Sequence, residues 1–373
     1  MLIYDIALTL IPEIGNIRGR RLIETFGSAE VALKTALEDI AEQTEIPFNA
    51  IRNIEVASVY PTAEAEIKYM EKHGIQAITF INPRYPERLK ECPDAPLVLY
   101  VKGDIDFNSP YWLSVVGTRK ISSYGRKITV QLIDSLAKSA PETVIVSGLA
   151  YGTDIEAHKA ALQNGLKTVA VLGNPLGFVY PEAHAVFAQE IIDKGGAIVS
   201  EFHSLHEMGG SNFLRRNRII AGLSSGTLVV ESAYKGGSLS TAACAQGYYR
   251  DVMAVPGRVG DPMSEGTNQL IRNNRAAMVL NTQDMLDHLN WEARNAKVSR
   301  PSEQQPELFE APQPRLDPEE AKIYQTLNDS GPLPVDELSL RTNLPAARIS
   351  ALSLAMEING LLRRLPGNVL EKV

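Results

Sequence analysis

Thr143-Val-Ile-Val-Ser147-Gly148-Leu149-Ala150-Tyr151-Gly152-Thr153-Asp154 passes from a β-branched apolar run, through a turn rich in Gly, Ser and Thr, into the helical pattern Asp154–Asn164. Strand, small-residue turn and helix form the repeating half of a parallel sheet. The same succession recurs on either side. Apolar runs stand at Leu113–Val116, Thr168–Leu172, Ala197–Ser200, Thr227–Val230, Val252–Val255 and Ala277–Leu280, with room for crossover helices between them, as at Ser238–Tyr248. The alternation predicts an α/β fold on a doubly wound parallel sheet. Ala77–Ile81 and Leu97–Val101 are expected to add edge strands. Ligands of such sheets bind beyond the carboxyl ends of the strands, where the small-residue turns fall.

Three segments share one chemistry: Ser147–Asp154, Phe213-Leu214-Arg215-Arg216-Asn217-Arg218, and Glu231-Ser-Ala-Tyr-Lys235-Gly236-Gly237-Ser238-Leu-Ser-Thr241. The first and third are turns whose backbone N–H groups can face an anion at a helix N-terminus. The middle one supplies guanidinium groups and an aromatic ring. That set suits a phosphate-bearing ligand with bases, and it offers neither a carboxylate pair nor a nucleophile–base pair. The reading is a nucleic-acid binder without catalytic residues or cofactor.

Within these segments each residue has a binding role and a structural one. Arg119, after Val116 and the small Gly117-Thr118 pair, is expected to emerge over the crevice, or else to cap a helix as a surface arginine. Ser147, Gly148 and Gly152 permit close approach of a phosphate, and equally a tight strand-to-helix packing. Asp154 is expected to cap the following helix, and His158 to be packed. Phe213 is the candidate base-stacking ring, with a core phenylalanine as its alternative. On a helix Arg215 and Arg218 share a face while Arg216 points elsewhere, so one of the three can be a structural ion-pair partner. Lys235, Gly236, Gly237 and Ser238 form the last anion nest.

The chain has 373 residues, more than one core usually holds, so several domains are expected. Its net charge of −7 runs against nucleic-acid binding and has to be resolved by segment. Residues 1–73 carry 7 Lys+Arg and 12 Asp+Glu, whereas residues 74–290 carry 20 of each. Binding is therefore expected in one focused patch rather than over the surface. No apolar run has the length of a membrane span, and Met1–Asp5 shows no signal sequence, so a soluble, cytoplasmic protein is expected. Cys92 and Cys244 stand alone, which indicates neither a disulfide framework nor a metal site.

Residues 1–73 read as small helices, and Ile11-Pro-Glu-Ile-Gly15-Asn-Ile-Arg18 looks like a helix-hairpin-helix turn, phosphate-binding or purely structural. Residues 291–316, with Pro301, Pro306, Pro312 and Pro314 among Glu, Gln and Ser, read as a flexible linker. Residues 317–373 offer helical patterns at Asp317–Asn328, Pro334–Arg341 and Pro345–Asn359, then a two-stranded wing around Pro366-Gly367.

Together with Val116–Arg119, Tyr180-Pro181, Ile219–Ser224 and Val255-Pro256-Gly257, the three segments closely resemble the DprA/Smf family, DNA-processing proteins of bacterial transformation and recombination. The resemblance runs in order from about Tyr85 to Leu270. It implies an extended Rossmann-like DNA-binding domain at 74–290 and a C-terminal winged helix at 317–373. It also implies binding and protection of single-stranded DNA, delivery to the RecA recombinase, and a homodimer formed through the α/β domain. Gly117-Thr118-Arg119 would line the strand-binding pocket, and Arg216-Asn217-Arg218 would match the family's Arg-Asn-Arg, which ranks Arg216 and Arg218 above Arg215. The chain departs from some relatives at Glu182 and at Met208–Ser211, where they carry basic residues or proline. A winged helix suggests duplex readout, yet Pro345–Asn359 offers only Arg348 as a cation, which favours protein contact or a structural role. A LOG-like phosphoribohydrolase shares the Gly-Gly turn, but Ala242-Ala243-Cys244 stand where its catalytic Glu is expected.

Overall fold

A computed structural model describes residues 2–55, 59–291, 316–358, 361–365 and 367–372. The chain forms two compact units, Met1–Val298 and Ser299–Val373. All but the two end residues of the segment read as a linker, that is 292–315, lie outside the described residues.

The first unit is built on nine strands: β1 (Gln76–Thr79), β2 (Val98–Gly103), β3 (Trp112–Val116), β4 (Val144–Ser147), β5 (Thr168–Val171), β6 (Ala197–Ser200), β7 (Gly226–Val229), β8 (Asp251–Ala254) and β9 (Ala277–Met278). Their order across the sheet is β1-β2-β6-β5-β4-β3-β7-β8-β9. From β6 to β9 every neighbour is parallel, and β2 and β1 add an antiparallel edge. The expected parallel sheet and its added edge strands are thus present. The chain proceeds outward from β3 through β4 and β5 to β6, then returns to start β7 on the other side of β3. Between β3 and β7 the winding reverses, the position where an open α/β sheet leaves a crevice.

Both faces of the sheet are buried, which is why its strands read as unbroken apolar runs. Leu113 and Val115 of β3 join a core under the helix Ser123–Ser139, with Leu132, Ile133 and Leu136. Trp112 and Val116 face the other way into a larger core. Ser114, on that same side, is buried because its hydroxyl donates to the carbonyl of Ile220 at 2.7 Å.

That larger core also takes in the N-terminal helices. Leu2–Leu10, Gly15–Phe26 and Val59–His73 contribute Ile6, Leu22 and Met70 to the cluster that holds Leu97 and Leu99. Gly19 lies so close to Leu97 that a Cβ there would collide with its side chain. The helix after the hairpin is therefore packed on the segment that leads into β2, while Pro12 and Glu13 of the hairpin turn stay exposed. Arg18, whose guanidinium donates to the Glu13 carbonyl at 2.6 Å, Arg20 and Arg21 all bond within the chain.

The second unit packs three helices, Pro318–Ser330, Val335–Thr342 and Ala346–Ile358, on a small sheet of β10 (Leu333–Pro334), β12 (Val369–Lys372) and β11 (Leu362–Leu365) in that order. Ile323, Leu338, Ile349 and Leu370 form its core. Gly367 and Asn368 take left-handed conformations between the last two strands, the connection of a wing. Pro366 lies outside the described residues. Arg348, the cation of the would-be recognition helix, is paired with Glu319 at 2.8 Å. Among the described residues no helix is long and apolar enough to cross a membrane.

Candidate nucleic-acid interface

At the carboxyl ends of β3 and β7 lies a cavity of about 290 Å³, walled by the loop after β3, the turns after β4 and β7, and the helix Gly210–Leu223. The three segments singled out in the sequence meet here.

The loop after β3 is drawn down by backbone bonds. Thr118 N–H donates to the Glu231 carbonyl at 2.8 Å, and Thr153 N–H donates to the Thr118 carbonyl at 3.1 Å. Gly117 has no room for a Cβ, which would strike the Thr153 hydroxyl. Arg119 is left exposed at the rim, its Cζ 5.5 Å from the centre of the Phe213 ring.

The contacts of the turn after β4 are those of the packing role, which the sequence offered beside a binding one. Ser147 is buried and donates to the Val115 carbonyl at 2.6 Å. Gly152 (φ 80°) would clash through a Cβ with the backbone of Thr118 and Arg119. Gly148 makes room for Arg216, since a Cβ there would lie 2.5 Å from the guanidinium carbon. Asp154 is not the helix cap. Gly152 holds that position, and Asp154 sits inside the first turn of Thr153–Gln163, buried and lining the cavity. Burial raises its pKa, opposed by Arg216 and by hydrogen bonds from the Ala150 and Gly148 backbone. His158 is fully buried, as expected of a packed residue.

The helix Gly210–Leu223 sends its arginines two ways. Arg216 is 4% exposed and donates to the carbonyls of Gly148, at 2.7 Å, and Val171. Burial lowers its pKa to about 10, against the pull of Asp154, so it stays charged at neutral pH. Asn217 reaches across to Ser240 Oγ at 2.9 Å and ties the helix to the turn after β7. Arg218 and Arg215 point to Glu201 instead. Arg218 Nη2 lies 2.5 Å from Glu201 Oε2, with a further bond to the Asp94 carbonyl, and Arg215 Nη2 lies 3.4 Å from the same carboxylate oxygen. The structure therefore brings Arg119, Phe213, Arg216 and Asn217 together and leaves Arg215 and Arg218 outside the cavity wall.

Phe213 is half-buried. One part of its ring rests on Gly173, where a Cβ would come within 2.7 Å, and Tyr180 stands 5.6 Å away centre to centre. Beyond it, Gly236, Gly237 and Ser238 line the cavity at the start of the helix Ser238–Gly247. Gly236 is packed on the Ser232 hydroxyl, Ser238 donates to that hydroxyl at 2.9 Å, and Gly237 faces open space. Lys235 is exposed beside them. Among the described residues no cluster of His, Cys, Asp or Glu has the arrangement of a metal site.

Two supporting residues had no assigned role in the sequence reading. Buried Glu231 accepts from Ser122 N–H at 2.9 Å and from its hydroxyl at 2.5 Å, which pins the start of the helix after β3. Glu201 gathers two arginines and Asn16. The signal available was position: each stands just past a strand end, where a carboxylate can reach a neighbouring loop.

The family model for DNA recombination-mediator protein A matches residues 76–290, and the model for the DprA winged helix domain matches residues 307–368. Protein Smf of Escherichia coli is 36% identical over 310 residues, covering 82% of this chain and 79% of that protein. The DNA processing protein DprA of Streptococcus pneumoniae is 40% identical over 210 residues, covering 56% and 73%. Its crystal structure superposes with a TM-score of 0.64 at 32% identity, over 77% of this chain and 98% of that one. The Helicobacter pylori protein, solved for its single-stranded DNA binding mode, gives a TM-score of 0.52 at 31% identity, over 58% and 95%. With both halves of its architecture matched in order, the chain belongs to the DprA/Smf family of DNA recombination-mediator proteins.

Proposed function

We propose that this cleft binds single-stranded DNA, with Arg119 and Lys235 on phosphates, the Gly237-Ser238 backbone as an anion nest at a helix N-terminus, and Phe213 under a base. The observation that carries the reading is the half-buried Phe213 ring, backed by Gly173 and Tyr180 and overlooked by the exposed Arg119. A stacking platform needs one face packed and one face free, with a cation near to neutralise the strand. Arg216 acts from behind: its hydrogen bonds to two carbonyls fix it in the wall, and its charge adds to the positive potential of the cavity. Family membership supports the wider role, protection of single strands and their delivery to RecA by a homodimer in the cytoplasm.

The role is binding rather than turnover. Asp154, a carboxyl of the cavity wall, is engaged by Arg216 and by backbone donors. Ala242 is buried, and Ala243 and Cys244 follow it on the helix after the Gly-Gly turn, so no acid stands at the position a phosphoribohydrolase uses.

Titration of a labelled oligonucleotide and of a duplex across a salt series tests the reading. Arg119→Ala should lower the salt slope by about 0.7, the value for one single-strand phosphate contact. Phe213→Ala should leave the slope alone and lose about 1–3 kcal/mol on single strands, with little loss on duplex, whose bases are already stacked. Equal losses of Phe213→Ala on both substrates would overturn the platform.

A further inference from the structure

Two more rings stand beside Arg119 at one end of the cleft. Tyr151 is 51% and Tyr180 46% exposed. Both are held from behind. Tyr151 packs edge-on against His184 at 4.9 Å, and His184 is buried and bonded through Nδ1 to the Leu149 carbonyl at 2.7 Å. Tyr180 leans on Phe213. The two tyrosines, Arg119 and Phe213 share a small recess of about 20 Å³ that adjoins the main cavity through Arg119, Phe213 and Arg216. Among the described residues neither tyrosine hydroxyl has a hydrogen-bond partner, so the rings are not posts of a polar network there.

The spacing says how a base would use them. A base held between two parallel rings needs about twice the ~3.4 Å rise of a stacked strand. Tyr180 and Phe213 are 5.6 Å apart and tilted by 45°, which admits no base between them. Each ring can therefore serve only from its outer face. The residue after Tyr180-Pro181 is Glu182, exposed and negative, so this flank does not attract a phosphate.

We propose that Tyr151 and Tyr180 form a second nucleobase subsite, which takes the base next to the one on Phe213 by stacking and not by charge. This rests on the single-strand reading of the cleft. It gives the bound strand a direction across the molecule, from the cationic and backbone donors at Lys235–Ser238, past Arg119 and Phe213, to an aromatic end whose contribution does not depend on salt.

The test uses the full chain and two labelled probes of equal length, an oligothymidylate and an oligomer with abasic sites in place of the bases. Tyr180→Leu and Tyr151→Leu keep apolar bulk, and unchanged melting temperatures will show that the fold is kept. Each should weaken oligothymidylate binding about tenfold without changing the salt slope, and leave the abasic probe nearly unaffected. Tyr180→Phe, which restores a ring, should recover most of the loss. Equal losses on both probes, or no loss on oligothymidylate while Phe213→Ala and Arg119→Ala both weaken it, would overturn the subsite and leave the cleft standing. If Phe213→Ala and Arg119→Ala are also without effect, the cleft reading falls and the subsite with it.

Discussion

His158 lies fully buried within the helix after β4, and its hydrogen-bond partner fixes its protonation. The Thr168 hydroxyl donates to the Ile145 carbonyl at 2.7 Å, so toward His158 Nδ1, also at 2.7 Å, it must accept. The proton therefore sits on Nδ1, and Nε2 is left buried with no partner among the described residues. Burial, then the charges of Arg216 and His184, push the ring's pKa down to about 3 from 6.5. The unfolded chain takes up this proton below pH 6.5, and the folded chain does not until far lower. Stability from the neutral ring is complete above 6.5 and lost as pH falls toward 3, amounting to about 2 kcal/mol at pH 5. Urea unfolding at pH 7.5 and 5.0 should show His158→Gln losing that much less than the parent on acidification. The same loss in both proteins would place the acid sensitivity elsewhere. That His158 is packed was legible from its position one turn beyond Asp154. The role of Asp154 itself was misread, because a carboxylate at the start of a helical pattern reads as a cap until Gly152 is seen to hold that position and Arg216, 62 residues later in sequence (216 − 154), is seen to act on it.

On the helix Gly210–Leu223 the period of 3.6 residues does the sorting. Arg215 and Arg218 lie one turn apart and share Glu201, while Arg216 faces the Gly148 and Val171 carbonyls. The split was legible from spacing alone. Which face meets the cleft was not, because Glu201 sits in the segment before the helix and nothing local marks it as a partner. The two faces make separable predictions. Arg218→Ala leaves the Glu201 carboxylate, 4% exposed, without its closest partner, and breaking such a pair should cost about 3–5 kcal/mol of stability. Its salt slope for single-stranded DNA should be that of the parent. Chemical denaturation and salt titration of the same preparation decide this, and a reduced slope at unchanged stability would move Arg218 into the binding surface.

Across the whole molecule, strand alternation disclosed the sheet, since both faces are covered and each strand reads as an apolar run. It did not disclose that the first helices share the sheet's core, because Ile6 and Leu22 meet Leu97 and Leu99 only after the chain has turned back on itself. The reversal of winding between β3 and β7 has a further bearing on the ligand. Every loop that walls the cleft leaves the same edge of the sheet, and the described residues close no ring over it. A polymer need not be threaded by an end; it can be laid down sideways at any point along its length. A covalently closed single-stranded circle should then bind with the affinity of a linear strand of the same sequence, as measured by competition against one labelled probe. Marked discrimination against the circle would mean that the protein loads from free ends. Lateral loading would let it act on gaps and on looped intermediates that never present a terminus.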